Sequence, residues 1–209
     1  MVRKDIDNFI KTIPANVKLV TATKYIDEFG IKELYDHNIK DYGENRVDSF
    51  LHKYESLKEL KDIKWHFIGH LQRNKTKKVI NFIDYLHSLD SLELAKEIEK
   101  YRKTPLETFV EISINLEESK NGVPYYEAET FIKELLEYKK IKVVGLMMMA
   151  YKNSDHPEEE FLKLTKLRDE LEKKLNIKLP YLSMGMSDDY QEAINSGATH
   201  IRLGRILYE

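Results

Sequence analysis

The chain has 209 residues with no break in composition, a length that suits one domain spanning residues 1–209 with a sizeable core. Lys and Arg number 34 against 36 Asp and Glu, a formal charge of -2, so nothing in the balance calls for a polyanionic partner such as nucleic acid. Without cysteine there is no disulfide, thiolate metal site or cysteine nucleophile; with no apolar signal core after Met1 and no bilayer-length apolar run, the expected address is the cytoplasm, with no membrane partner.

Short apolar runs alternate along the chain with longer stretches of helical period. Ile6 to Ile13 reads as an extra helix, lying ahead of the first strand or across the lower end of the fold. Strands follow at Lys18 to Thr23 and Ile39 to Tyr42, and then Val47, Phe50, Leu51, Tyr54 and Leu57 fall at helical spacing. Strands at Lys64 to Ile68 and Tyr85 to Ser88 precede a helix start at Asp90 with Glu93 three places on, carried forward by Leu92, Ala95 and Ile98. After a strand at Thr108 to Ile114, Pro124 suits a first helical position ahead of Phe131 and Leu135. A strand at Lys142 to Met148 leads to a long charged helix, Asp155 to Leu175, whose apolar contacts are Leu162, Leu164, Leu167 and Leu171. The last strands are Tyr181 to Met184 and His200 to Leu203. About eight strand and helix alternations favour an α/β fold of the (β/α)₈ TIM-barrel type over an open doubly wound sheet, though length alone allows either.

In such a barrel active sites sit where strands end, and phosphate is usually held by the loops after the seventh and eighth strands. Two small-residue turns fall there. Ser183-Met-Gly-Met-Ser187 follows the seventh strand, and Ser187 precedes Asp188-Asp-Tyr-Gln-Glu, so it reads as the cap of a helix whose free N–H groups attract an anion. Gly204 follows the eighth strand and opens Arg205-Ile-Leu-Tyr208, where a missing side chain lets phosphate oxygens reach backbone amides. Taken singly, Ser187 is an ordinary N-cap and Gly204 a turn glycine; their joint position points to phosphate.

Lys24 closes the first strand. Side chains alternate, so Val20, Ala22 and Lys24 share a face, and if that face looks into the barrel the amine is held among apolar and small groups. Partial desolvation then supplies the neutral amine that a Schiff base requires. Arg202 lies two residues before Gly204 on one face, placed to point at a ring from the opposite wall. A lysine amine and two anion-binding turns suit an aldehyde that carries a phosphate, and the cofactor of that description is pyridoxal 5'-phosphate.

Other features have plainer readings. His66 and His70 are four apart, but Gly69 and the strand context spoil the helical face a zinc site needs, so no metal is expected and His66 reads as a barrel or pocket residue. Met147, Met148 and Met149 fill core, and Arg73, Lys75, Lys77 and Lys78 mark a solvated helix face.

These residues resemble a known family, the pyridoxal phosphate homeostasis proteins, also called the YggS/PROSC family. The matching stretches, in order, are Leu19-Val-Thr-Ala-Thr-Lys24, Tyr42-Gly-Glu-Asn-Arg46, Trp65-His-Phe-Ile-Gly-His-Leu-Gln-Arg-Asn-Lys75, Glu117-Glu-Ser-Lys-Asn-Gly122, Gly145-Leu-Met147, Leu182-Ser-Met-Gly-Met-Ser187 and Ile201-Arg-Leu-Gly204. The resemblance implies a barrel like the N-terminal domain of alanine racemase, with pyridoxal phosphate in Schiff-base linkage to Lys24. It further implies that Ser187 and Gly204 hold the phosphate, that Arg202 faces the pyridine nitrogen, and that Asn45 lines the ring's pocket. Where the family usually has Ser or Thr after the final glycine, this chain has Arg205, whose backbone N–H or guanidinium would join the phosphate shell instead. The chain also stops at Tyr208-Glu209, earlier than its relatives.

A racemase on this barrel takes its second base from an additional β domain and a dimer partner, and 209 residues leave no room for that domain. An arginine at the ring nitrogen leaves that nitrogen unprotonated and weakens the ring as an electron sink. The expected function is therefore intracellular homeostasis of pyridoxal phosphate by a monomeric carrier or buffer without catalytic residues, serving apo-enzymes that receive the cofactor. The rivals are a pyridoxal phosphate-dependent amino-acid racemase or lyase, and a cofactor-free aldolase using Lys24.

Overall fold

Each strand is followed by a segment that returns the chain to the same end, so successive strands can pair only in parallel. In the computed structural model, which describes residues 2–114, 121–151 and 154–208, the strands are β1 (Lys18–Ala22), β2 (Asp41–Glu44), β3 (Lys64–Phe67), β4 (Tyr85–Leu89), β5 (Leu106–Ser113), β6 (Val123–Pro124), β7 (Ile141–Met147), β8 (Tyr181–Ser183) and β9 (His200–Leu203). They run in the order β4-β3-β2-β1-β9-β8-β7-β5, and a further pairing of β4 with β5 closes the barrel. The short β6 only extends the end of β5, through Ile112 and Val123. The fold is the expected (β/α)₈ barrel. The Glu117-to-Lys120 part of the family stretch lies outside the described residues.

The helices are α1 (Ile6–Lys11), α2 (Glu28–Asp36), α3 (Val47–Ser56), α4 (Thr76–Val79), α5 (Leu92–Tyr101), α6 (Ala128–Leu135), α7 (Pro157–Leu175) and α8 (Tyr190–Asn195). Each presents an apolar stripe to the strands: Ile31 and Leu34, Phe50, Ala95 and Ile98, Ile132 and Leu135, and Phe161 and Leu164 are fully buried there. The N-terminal α1 packs alongside α8, with the Phe9 and Tyr190 rings edge to face at 6.0 Å, and its last turn reaches the lower end, where Ile10 lines a depression with Lys18, Asp41 and His200. Among the described residues, no helix is long and apolar enough to cross a membrane.

Several boundaries differ from the sequence reading. β2 begins at Asp41, two residues later than expected, because Asn38 (φ 62°) ends the connection from α2 in a left-handed turn and polar Asp41 and Glu44 are themselves strand residues. α2 was not among the expected helices; it is capped by Asp27, whose carboxylate accepts from Gly30 N at 3.0 Å. Ser91 takes the N-cap position of α5 in place of Asp90. Pro124 ends β6 and precedes a 3₁₀ turn, Tyr125–Glu127, so α6 starts only at Ala128. In α7, Leu164 and Leu171 are buried but Leu162 is exposed.

The barrel interior is aromatic and polar where branched aliphatics are usual. His66 of β3, His87 of β4, Phe109 of β5, Tyr181 of β8 and His200 of β9 meet across it, with His200 centred 5.0 Å from Tyr181, 5.1 Å from Phe109 and 6.3 Å from His66. Gly145 lets β8 approach β7 there, since a Cβ on it would fall 1.9 Å from the Tyr181 carbonyl oxygen. Gly145→Ala is therefore expected to lose about 1–3 kcal/mol or more of stability by forcing the strands apart; an unchanged urea midpoint contradicts this packing.

Candidate functional site

The β1–β9 pairing sets the site. Lys18 is level with His200, Val20 with Arg202 and Thr21 with Leu203, so the alternating faces place Lys18, Val20, His200 and Arg202 toward the barrel interior. Gly204, the next residue, lies against Ala22: a Cβ on it would be 3.5 Å from the Ala22 Cβ and carbonyl oxygen. Lys24 follows two residues on, in a turn. On the other side β1 pairs with β2, Ala22 level with Gly43, so Asn45 stands two residues beyond that pair as Lys24 does.

Lys24 departs from expectation in one respect. Its side chain is exposed, with the ammonium 4.6 Å from the centroid of the Tyr25 ring, so the amine is not desolvated among apolar groups. The strand ends at Ala22 and the chain turns at Lys24–Tyr25, closed by Ile26 N donating to Thr23 O at 3.2 Å, while Thr23 stays tied to β2, its N–H donating to Gly43 O at 3.0 Å and its hydroxyl to Glu44 Oε1 at 2.8 Å. Lys53 of α3 completes this clamp, donating to Thr23 O at 2.6 Å and to Glu44 Oε1. The sequence reading missed both members, although a glutamate and a lysine on two adjacent elements flanking Asn45 were visible. The backbone before Lys24 is thus fixed while its side chain reaches into solvent.

Ser187 and Gly204 come together, Gly204 N donating to Ser187 Oγ at 3.4 Å. Ser187 is not, however, the cap of the following helix. α8 begins at Tyr190 with Asp189 at the N-cap position, and the Asp189 carboxylate folds back to accept from Met186 N at 2.6 Å. Gly185 (φ 91°) shapes this turn, since a Cβ there would lie 2.5 Å from Ala193 Cβ. Gly204 opens a 3₁₀ turn, Arg205–Leu207. The Arg205 guanidinium is exposed and bonds Asp188 at 2.6 Å.

Arg202 is buried, its Nη1 donating to Ser183 Oγ at 2.6 Å and its Nη2 to Met148 O at 2.9 Å. Burial pushes the guanidinium down to about 10, so it stays cationic at neutral pH. Asn45 is half-buried, and Gly69 packs on its backbone so closely that a Cβ would fall 2.5 Å from Asn45 O. Glu111, near the end of β5, was not anticipated. It is buried, and burial together with the nearby Asp90 pushes its carboxyl up to about 7, against the pull of Arg202. Its signal was a charged residue inside the apolar run Phe109-Val-Glu-Ile112.

The donor set fits pyridoxal phosphate: backbone N–H groups and a hydroxyl converge at Ser187 and Gly204, a buried cation stands at Arg202, and the Lys24 amine follows in the turn after the adjacent strand β1. Residues 17–209 match the family model described as alanine racemase, N-terminal domain. A pyridoxal phosphate homeostasis protein from Aquifex aeolicus is 42% identical over 196 residues, covering 91% of this chain and 86% of that protein. The chain belongs to the pyridoxal phosphate homeostasis protein family. The human member is 34% identical over 207 residues, covering 91% of this chain and 75% of its own length. Among solved structures of the family's fold, PipY of Synechococcus elongatus superposes with a TM-score of 0.93 without PLP and 0.89 with PLP bound, each at 27% identity, covering 100% and 98% of this chain and 100% of PipY in both cases. Alanine racemase of Clostridium difficile shares the barrel, with a TM-score of 0.79 at 15% identity over 99% of this chain and 57% of the racemase.

Two outcomes test this geometry. Lys53→Met strips the buried Glu44 of its partner and is expected to cost about 3–5 kcal/mol, read as a fall in the denaturation midpoint; a neutral effect removes the clamp from the account. Because the folded carboxyl of Glu111 is raised above its unfolded value, stability falls as pH rises from the unfolded pKa toward about 7. Glu111→Gln is accordingly expected to be more stable than wild type by about 1–3 kcal/mol near pH 8, with the gap closing toward pH 4. A pH-independent difference between the two melts would contradict the burial of an ionisable group there.

Proposed function

We propose that this chain binds pyridoxal 5'-phosphate in the barrel mouth as a Schiff base with Lys24, and that it holds and releases the cofactor within the cytoplasm as a monomeric carrier or buffer. The observation that carries the reading is the meeting of three strand ends: Gly204 bonds Ser187 after β8 and packs on Ala22, two residues before Lys24. The family membership and the PLP-bound state of PipY support it. When bound, the cofactor supplies an aldehyde that condenses with an amine, with loss of water, and a ring that can draw electrons.

This chain's own residues do the rest. The Ser187 hydroxyl and the N–H groups of Gly204 and Arg205 receive the phosphate, and Asn45 walls the ring. Arg202, cationic and donor-only, hydrogen-bonds the ring nitrogen and keeps it unprotonated, which disfavours carbanion chemistry. The exposed Lys24 amine can be displaced by an incoming amine, which suits reversible holding and delivery to apo-enzymes. The racemase or lyase alternative has a likeness of fold on its side, and fold alone does not carry an activity.

Borohydride reduction of protein incubated with the cofactor, followed by peptide mass spectrometry, is expected to place the adduct on Lys24 and to find none there in Lys24→Ala. No visible colour and no trapped adduct in the wild type overturns the cofactor reading. Sustained racemisation or elimination of an amino acid by the loaded protein, abolished in Lys24→Ala, overturns the carrier role in favour of the enzyme.

A further inference from the structure

The interior of the barrel contains a continuous line of polar side chains that the cofactor site does not account for. His66 Nε2 lies 2.9 Å from Asp41 Oδ1, His66 Nδ1 lies 2.9 Å from His87 Nε2, and His87 Nδ1 lies 2.8 Å from Ser183 Oγ. Ser183 Oγ accepts from Arg202 Nη1, and at the other end Lys18 Nζ donates to Asp41 Oδ1 at 3.0 Å. His66, His87 and Ser183 are completely or almost completely shielded from solvent. His66 stacks on Tyr85 at 4.5 Å and His87 on Phe109 at 4.3 Å, so aromatic walls close off the line. The Asp41 end opens on the floor depression that Lys18, Asp41 and His200 line.

Donor and acceptor chemistry gives this line one direction. A carboxylate only accepts, so His66 Nε2 carries the proton. A neutral His66 then accepts at Nδ1, which requires a proton on His87 Nε2 and a bare His87 Nδ1. Ser183 donates its hydroxyl to that nitrogen, and its lone pairs face Arg202. Every group is satisfied with both imidazoles neutral, in keeping with burial, which lowers the basicity of both rings. The opposite tautomers aim a bare His66 nitrogen at a carboxylate and give Ser183 two donors, with its own proton unplaced in a dry interior.

We propose that Asp41, His66, His87 and Ser183 form a one-way hydrogen-bond chain that fixes, from the floor of the barrel, the acceptor Arg202 meets in the mouth. With Nη1 on Ser183 and Nη2 on Met148 O, the guanidinium plane is locked and its remaining N–H groups serve the ligand. Asp41, His66 and His87 are positioning residues acting through Ser183. The consequence for the cofactor rests on the reading that Arg202 faces the ring nitrogen; the chain itself does not.

The test is long-range proton–nitrogen NMR of the imidazole rings in the full chain without cofactor. Both His66 and His87 are expected to show the neutral Nε2–H pattern at neutral pH. In Asp41→Leu both rings are expected to lose that single-tautomer signature, including His87, which does not touch residue 41. An Nδ1–H or imidazolium pattern on either ring of the wild type overturns the chain, and that measurement stands even where the variant does not fold. A His87 spectrum unchanged in a folded Asp41→Leu overturns the coupling. A separate readout, the visible band of cofactor-loaded Ser183→Ala, is expected to shift from wild type; a stationary band beside the expected NMR result leaves the chain standing and counts against Arg202 at the ring.

Discussion

The parallel pairing of β1 with β9 is the constraint on which the site depends. It joins the first and last strands of the barrel, and only through it do Lys24 and Gly204 share a neighbourhood. The ends of the chain reinforce the same seam: Val2 bridges Tyr208 antiparallel, Arg3 N donates to Leu207 O at 3.0 Å, and the Tyr208 hydroxyl bonds Ala22 O across 186 positions of sequence. The two halves of the seam are about 180 positions apart in sequence, so the site is complete only when the barrel is closed.

A barrel usually fills its middle with branched aliphatic side chains. Here the middle holds imidazoles, a guanidinium, a hydroxyl and a carboxylate, and the neighbouring layer holds the Glu44–Lys53 ion pair. Such groups add less net stability than apolar packing, and they are tolerable because most are bonded to one another. The exceptions among the described residues are few: Thr21 Oγ1, Ser196 Oγ and His200 Nε2 are buried without a partner. What the polar interior gains is orientation. Each bond fixes the next, so Arg202 and the Thr23 backbone are held by geometry that a greasy core would leave free.

Much of this was legible from residue pattern. The alternation of apolar runs with helical periods gave the barrel, and small residues after the last two strands marked the turns that now meet as Ser187 and Gly204. Alternation gave the inward faces of Val20 and Arg202, but Arg202, expected on the wall opposite Lys24, stands on the strand next to β1, since the β1–β9 register sets it level with Val20. The misreadings share a cause. Periodicity says which residues share a face but not where a strand stops, and Lys24 is exposed because the chain turns immediately after Thr23, with Ile26 N donating back to Thr23 O. The N-cap position of α8 went to Asp189 for a similar reason, since a carboxylate two residues later satisfies the chain by bending back to Met186. β2 was shifted because its polar residues serve the interior, which the apolar signal cannot report.

The two ends of the site differ in a way that bears on what the protein can do. Arg202 is buried and bonded on both terminal nitrogens, while the Lys24 amine is exposed above a rigid backbone. A group fixed at its deep end and held covalently at its shallow end can be exchanged at the shallow end without disturbing the deep one. Catalysis on a carbon attached to the same ring asks for the reverse, a sheltered reacting atom with groups arrayed around it and water kept out. Under the proposed reading, the polarity of the barrel, ordered below and open above, suits holding a reactive aldehyde more than transforming an amino acid attached to it.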